Sequence, residues 1–136
     1  MDLMDEILKR LESLHPKIID LKLDRVKRLL RKLGNPEKSI PPVIHVAGTN
    51  GKGSTIAMIK SGLQKSGFRT HTYTSPHLVS FNERIEIGDK RISEDALKEV
   101  LNECEKVNNS QPITFFEITT VLLFLHFQEH LLTIHF

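Results

Sequence analysis

The sequence predicts an α/β fold: a P-loop-type parallel sheet with flanking helices, preceded by two N-terminal helices. Three observations carry this expectation. The run Val43-Ile44-His45-Val46-Ala47 is mostly β-branched and bounded by Pro41-Pro42 and by a glycine, as a buried strand is. Positions 48–53 then hold three glycines in six residues. A helical stretch follows, and after it a second extended run at 69–74. Strand, glycine loop, helix, strand is the order of a βαβ unit. A parallel sheet of two or three strands is small, so the expected fold is incomplete.

The first helix is expected over 1–14. Leu3, Met4, Ile7, Leu8, Leu11 and Leu14 recur at helical spacing and make one apolar stripe. Pro16 separates it from a second helix at about 18–33, which Gly34, Asn35 and Pro36 stop. Lys22, Arg25, Lys27, Arg28, Arg31 and Lys32 alternate with its apolar residues and read as a solvated face. Beyond the glycine loop, Ile56, Ile59 and Leu63 mark a helix that ends at Gly67. Positions 75–82 read as loop, 84–87 as a short extended piece, and Gly88-Asp89 as a turn. Ser93 is a good N-cap for a helix with Ala96, Leu97, Val100, Leu101, Cys104 and Val107 on one face. Asn108-Asn109-Ser110 ends it. Thr114-Phe115-Phe116-Glu117 is a capping box for a last apolar helix, to about Glu129. Leu131 to Phe136 has the composition of a further strand.

Composition narrows the function classes. A chain of 136 residues is room for one domain, and 39% hydrophobic residues are enough for a packed core. Nineteen Lys and Arg against seventeen Asp and Glu leave a formal charge of +2, no strong electrostatic case for a nucleic-acid partner. A single cysteine, Cys104, excludes an internal disulfide and fits a reducing compartment. The apolar run from Ile118 to Phe127 is too short to span a bilayer, which argues against a membrane partner. Asp2, Asp5 and Glu6 are the wrong flank for a signal peptide. The expected setting is cytoplasmic.

The loop Gly48-Thr49-Asn50-Gly51-Lys52-Gly53-Ser54-Thr55 lies between strand and helix. Glycines there let backbone N–H groups turn inward around phosphate oxygens. The helix that starts near Lys52 adds its positive end. Lys52 can neutralise phosphate charge, and Ser54 or Thr55 can offer a hydroxyl to phosphate or Mg²⁺. The general nucleotide loop has a glycine where Val46 stands and Ser or Thr where Gly53 stands. A plain glycine turn with an exposed lysine is the simpler reading, and the position between strand and helix speaks against it.

The stretch His45-Val46-Ala47-Gly48-Thr49-Asn50-Gly51-Lys52-Gly53-Ser54 resembles the P-loop of the folylpolyglutamate synthase and dihydrofolate synthase family, within the Mur ligase superfamily. Gly53 is part of that family's pattern. Leu33-Gly34-Asn35-Pro36 resembles the segment that precedes the family's loop. Tyr73-Thr74-Ser75-Pro76-His77-Leu78 through Phe81-Asn82-Glu83-Arg84-Ile85 resembles its second motif. Thr114-Phe115-Phe116-Glu117 with Thr119-Thr120 resembles its third. The resemblance covers about residues 20 to 130.

It implies a Mur-ligase-like ATPase domain and an ATP-dependent amide ligase. ATP phosphorylates a folate or dihydropteroate carboxylate, and the amine of L-glutamate attacks the acyl phosphate. The implied cofactors are ATP and Mg²⁺. Gly48, Thr49, Asn50, Gly51, Lys52, Gly53, Ser54 and Thr55 would bind nucleotide, with Lys52 in the catalytic role and Ser54 and Ser75 on the metal. His77, Phe81, Asn82 and Arg84 lie on the implied folate side. Each has a plainer alternative. Ser75 is a turn residue ahead of Pro76. Arg84 pairs with Glu83 or Glu86 on the surface. His77 is a solvated loop histidine. Glu117 is explained by capping alone, and Cys104 by the core.

The resemblance also implies a chain roughly three times as long, on an ordinary two-domain reading. The acidic residue that completes the Mg²⁺ site, a later histidine, a carbamylated lysine and a glutamate-binding domain would all lie beyond Phe136. Residues 1–136 are therefore expected to be the N-terminal part of the ATP-binding domain, from a truncated or frameshifted gene. The alternative function is a catalytically inactive nucleotide-binding fragment. The family is typically monomeric, but an uncovered sheet edge predicts marginal stability and self-association for this chain.

Overall fold

A computed structural model describes residues 3–14 and 22–130. The described residues fall into two compact units. One takes those of Met1–Ile40 and Glu94–Glu129; the other takes those of Pro41–Ser93 together with His130.

The first unit is helical: α1 (Leu3–Glu12), α2 (Asp24–Lys32), α4 (Glu94–Asn108) and α5 (Phe115–Glu129). Helix α5 packs against α1, α2 and α4, which explains why it is apolar on nearly every side. Ile118, Val121, Leu122 and Leu125 of α5 are buried with Ile7, Leu11, Leu29, Leu97, Leu101 and Cys104. Cys104 is fully buried, a core side chain as expected, and burial pushes its thiol up to about 12. Helix α2 begins at Asp24, not near residue 18; positions 15–21 lie outside the described residues. It stops where expected: Gly34 and Asn35 take positive φ, and Pro36–Lys38 forms one short 3-10 turn.

The basic face of α2 needs correction. Arg25 donates Nε and Nη2 to the Glu117 carboxylate at 2.9 and 2.8 Å. Arg28 Nη2 donates to Asn108 Oδ1 at 2.9 Å and to the Pro112 carbonyl at 3.1 Å. Two of the six basic residues thus bind inside the unit. The alternating pattern showed where charge lay on the helix, but not which polar groups of α4 and α5 would meet it.

The second unit holds α3 (Lys52–Lys65) and three strands, β1 (His71–Tyr73), β2 (Ile85–Ile87) and β3 (Lys90–Arg91). The α/β character stands, but the ladders among the described residues are antiparallel, in the order β1-β2-β3. His71, Thr72 and Tyr73 face Ile87, Glu86 and Ile85, and the Gly88-Asp89 turn closes the β2–β3 hairpin. The buried strand expected at 43–47 does not form. Those residues join no ladder among the described residues, and Val43 and Ile44 are 69% and 62% exposed. A β-branched run is stable as a strand only between neighbours. Here β1, the following extended run, pairs with β2 instead. The further strand at 131–136 lies outside the described residues. Among the described residues, no helix is long and apolar enough to cross a membrane.

Candidate functional site

Two of the three motifs lie in the second unit. In the first, Gly51 caps α3 with φ +72, a left-handed turn that a side chain would strain. The helix starts at Lys52, as the sequence indicates. No side chain caps it, and its first turn holds no acidic residue. The first intrahelical bond runs from Thr55 N to the Gly51 carbonyl at 3.0 Å. The N–H groups of Lys52, Gly53 and Ser54 therefore stand ahead of it, at the positive end of a fourteen-residue helix.

Lys52 is folded back: its Nζ donates to the Gly48 carbonyl at 2.6 Å. The Thr55 hydroxyl donates to the Gly51 carbonyl at 2.8 Å, so only its lone pairs remain for a ligand. Gly48, Thr49, Asn50, Gly53 and Ser54 are all exposed. The Ser54 hydroxyl has no protein partner among the described residues. Ser75 is exposed too, ahead of a cis peptide to Pro76.

The second motif is built around Glu83. Its Oε2 accepts the Leu78 N–H at 2.9 Å, and its Oε1 accepts the N–H groups of Val79 and Ser80 at 3.0 and 2.9 Å. These bonds, that of Leu78 first, hold the carboxyl below its ordinary value. Arg84 contradicts its plainer reading: among the described residues it pairs with neither Glu83 nor Glu86. Its Nε donates to His77 Nδ1 at 2.8 Å, and its guanidinium carbon lies 5.0 Å from the centre of the Phe81 ring. His77 is not merely solvated either. Its ring meets Phe81 edge-on at 5.9 Å. His77, Phe81 and Arg84 thus form one cluster, with Asn82 half-buried beside it in the chain.

Glu86 is engaged elsewhere, by Lys60 of α3. Gln64 Nε2 donates to Asp89 Oδ1 at 2.8 Å and to Thr70 Oγ1 at 3.2 Å. The helix that starts at Lys52 is therefore tied to the β2–β3 hairpin that follows the second motif. Sequence reasoning missed Glu83 and these links. A signal for Glu83 was present: Ser80-x-x-Glu83 has the same spacing as Thr114-x-x-Glu117.

The third motif lies in the helical unit. Thr114 N–H donates to Glu117 Oε2 at 2.8 Å, and Glu117 N–H donates to Thr114 Oγ1 at 3.2 Å. Burial pushes the Glu117 carboxyl up. The hydrogen bonds from Arg25 and from the Thr114 amide outweigh it and hold the group below its ordinary value. Capping accounts for the bond to Oε2, and Arg25 occupies Oε1 as well, so capping is not the whole role of Glu117.

No family model matches the chain. The dihydrofolate synthase/folylpolyglutamate synthase of Bacillus subtilis is 44% identical over 114 residues, which are 79% of this chain and 26% of that protein. Among solved structures, Escherichia coli FolC in complex with DHPP and ADP aligns with a TM-score of 0.84 and 36% identity. The match covers 93% of this chain and 30% of that one. The bifunctional folylpolyglutamate synthase/dihydrofolate synthase of Yersinia pestis, complexed with AMPPNP and Mn ion, aligns at 0.83 with 32% identity. There the match covers 95% of this chain and 31% of that one. The chain spans about a quarter of the length of the curated relatives it matches. With identities of this size, a Mur-ligase-like fold and ordered motifs in common, the chain belongs to the dihydrofolate synthase/folylpolyglutamate synthase family.

Proposed function

We propose that this chain carries the nucleotide-binding part of an ATP-dependent ligase that joins L-glutamate to a folate or dihydropteroate carboxylate. The observation that carries the reading is the uncapped start of α3 at Gly51-Lys52, set behind an exposed glycine loop. On this reading, residues 1–136 belong to the ATP-binding domain of a cytoplasmic enzyme.

The residues present fit a triphosphate. The backbone N–H groups from Gly48 to Ser54 can surround its oxygens, and Lys52 exchanges the Gly48 carbonyl for phosphate. Thr55 steadies the turn through its bond to Gly51. Ser54 and Ser75 offer neutral hydroxyl oxygens to Mg²⁺. Such a set fits an ion that is held chiefly by phosphate and water. The bound nucleotide supplies the phosphoryl group that turns a poor acyl donor into a reactive one. Attack by the glutamate amine then forms the amide C–N bond and releases phosphate. The protein's part is positioning and charge neutralisation. His77, Phe81 and Asn82 flank the substrate, and the terminal guanidinium nitrogens of Arg84 can take a carboxylate in two parallel bonds.

Calorimetric titration with ATP and Mg²⁺ tests this. Saturable binding is expected, with a loss of at least about tenfold in Lys52→Ala, since a charge-assisted bond is worth roughly 1.5–3 kcal/mol. No binding by the parent chain, or equal binding by both proteins, would overturn the reading. A second reading, nucleotide binding without turnover, is favoured by the metal donors, because neither serine brings a negative charge. ADP release in the presence of dihydropteroate and glutamate separates the two.

A further inference from the structure

We propose that Glu83 is a positioning residue that presets Arg84 for a substrate carboxylate, acting through the backbone of residues 78–80. The inference rests on the folate-side reading of the second motif.

Leu78 and Val79 are 93% and 89% exposed, so packing does not hold this turn in place. The Glu83 carboxylate holds it instead, by gathering three consecutive N–H groups. His77 enters the pinned turn and Phe81 leaves it. These two residues also hold Arg84, the first by accepting its Nε–H and the second by lying against its guanidinium. Phe81 is buried, so one wall of the cluster is rigid, while the other depends on where residues 78–80 place His77. The terminal nitrogens of Arg84 have no carboxylate partner among the described residues. They are left for a planar, two-oxygen acceptor. A guanidinium fixed in advance loses less freedom on binding than a mobile one.

Glu83→Gln is the first variant, because its amide presents N–H where the turn needs an acceptor. The full chain is titrated with dihydropteroate by fluorescence and with ATP and Mg²⁺ by calorimetry. Dihydropteroate affinity is expected to fall about tenfold, with ATP affinity unchanged. In an Arg84→Ala background, Glu83→Gln should cause no further loss, because the effect passes through Arg84. A merely structural role would lower both affinities, and would still do so without Arg84; either result overturns the proposal. So does dihydropteroate binding by Glu83→Gln within twofold of the parent. Glu83→Asp, which keeps the charge on a shorter stem, should fall between the two and serves if the glutamine variant does not fold. If the parent chain binds no dihydropteroate, the folate reading fails. Amide exchange at Leu78, Val79 and Ser80 then tests Glu83 separately: loss of protection in Glu83→Gln supports its hold on the turn, and unchanged protection overturns it.

Discussion

Arg25 and Glu117 stand 92 positions apart in the chain and meet through two parallel hydrogen bonds, 2.9 and 2.8 Å long. The pair is largely buried, with side-chain exposures of 15% and 6%. The same carboxylate caps α5, so one group joins α2 to the start of the central helix. Removing the arginine alone leaves a buried charge with half its partners. Arg25→Met is expected to destabilise the protein by about 3 kcal/mol, within the range for broken buried pairs. The double variant Arg25→Met, Glu117→Gln should recover much of that loss, because no charge is then stranded. Urea unfolding of the parent, both single variants and the double variant checks this, and additive losses would contradict it.

Stability should also depend on acid. The Glu117 carboxyl is held below its ordinary value in the folded state. Its contribution is therefore whole above the unfolded carboxylate value of about 4.3, and drains away as pH falls through the lower folded value. Glu83, half-buried in the second motif, acts in the same direction. Melting temperature followed downward from neutral pH should fall more steeply for the parent than for Glu117→Gln, with the curves parting below about pH 5. Parallel curves would show that Glu117 does not carry the acid sensitivity.

The unpaired segment at 43–47 has a consequence in solution. Val43 and Ile44 expose β-branched surface on a run with no ladder partner among the described residues. We expect concentration-dependent self-association through this segment, reduced by Ile44→Lys, since a charge on an open edge opposes strand addition. Sedimentation velocity across a wide concentration range decides it. A constant monomer value for the parent would remove the expectation.

Local chemistry was readable from the sequence wherever neighbours in the chain sufficed. The start of α3 at Lys52, the Gly34-Asn35-Pro36 stop and the Thr114–Glu117 capping box all depend on residues within one turn of each other. What depended on distant partners was not readable. The run at 43–47 has strand composition, but a strand is defined by its neighbours. Arg25 looked like surface charge because Glu117 lies far along the chain. Among the candidate site residues, the glycine loop was visible as a pattern. The cluster of His77, Phe81 and Arg84 was visible only as names, since nothing in the spacing shows that an arginine will turn to a histidine when two glutamates are closer in sequence.

The bond from Lys52 to the Gly48 carbonyl has a meaning for selectivity. The loop contains an acceptor for its own cation, so on the proposed reading every incoming anion meets an internal competitor. A singly charged, weakly basic ion such as chloride replaces a good carbonyl contact with a poor one and gains little. A polyphosphate brings several oxygens and several charges, and meets the lysine and the helix N–H groups together. On the proposed reading the contact would work as a threshold: ordinary salt would gain little by breaking it, and a ligand that engages many donors at once would gain enough.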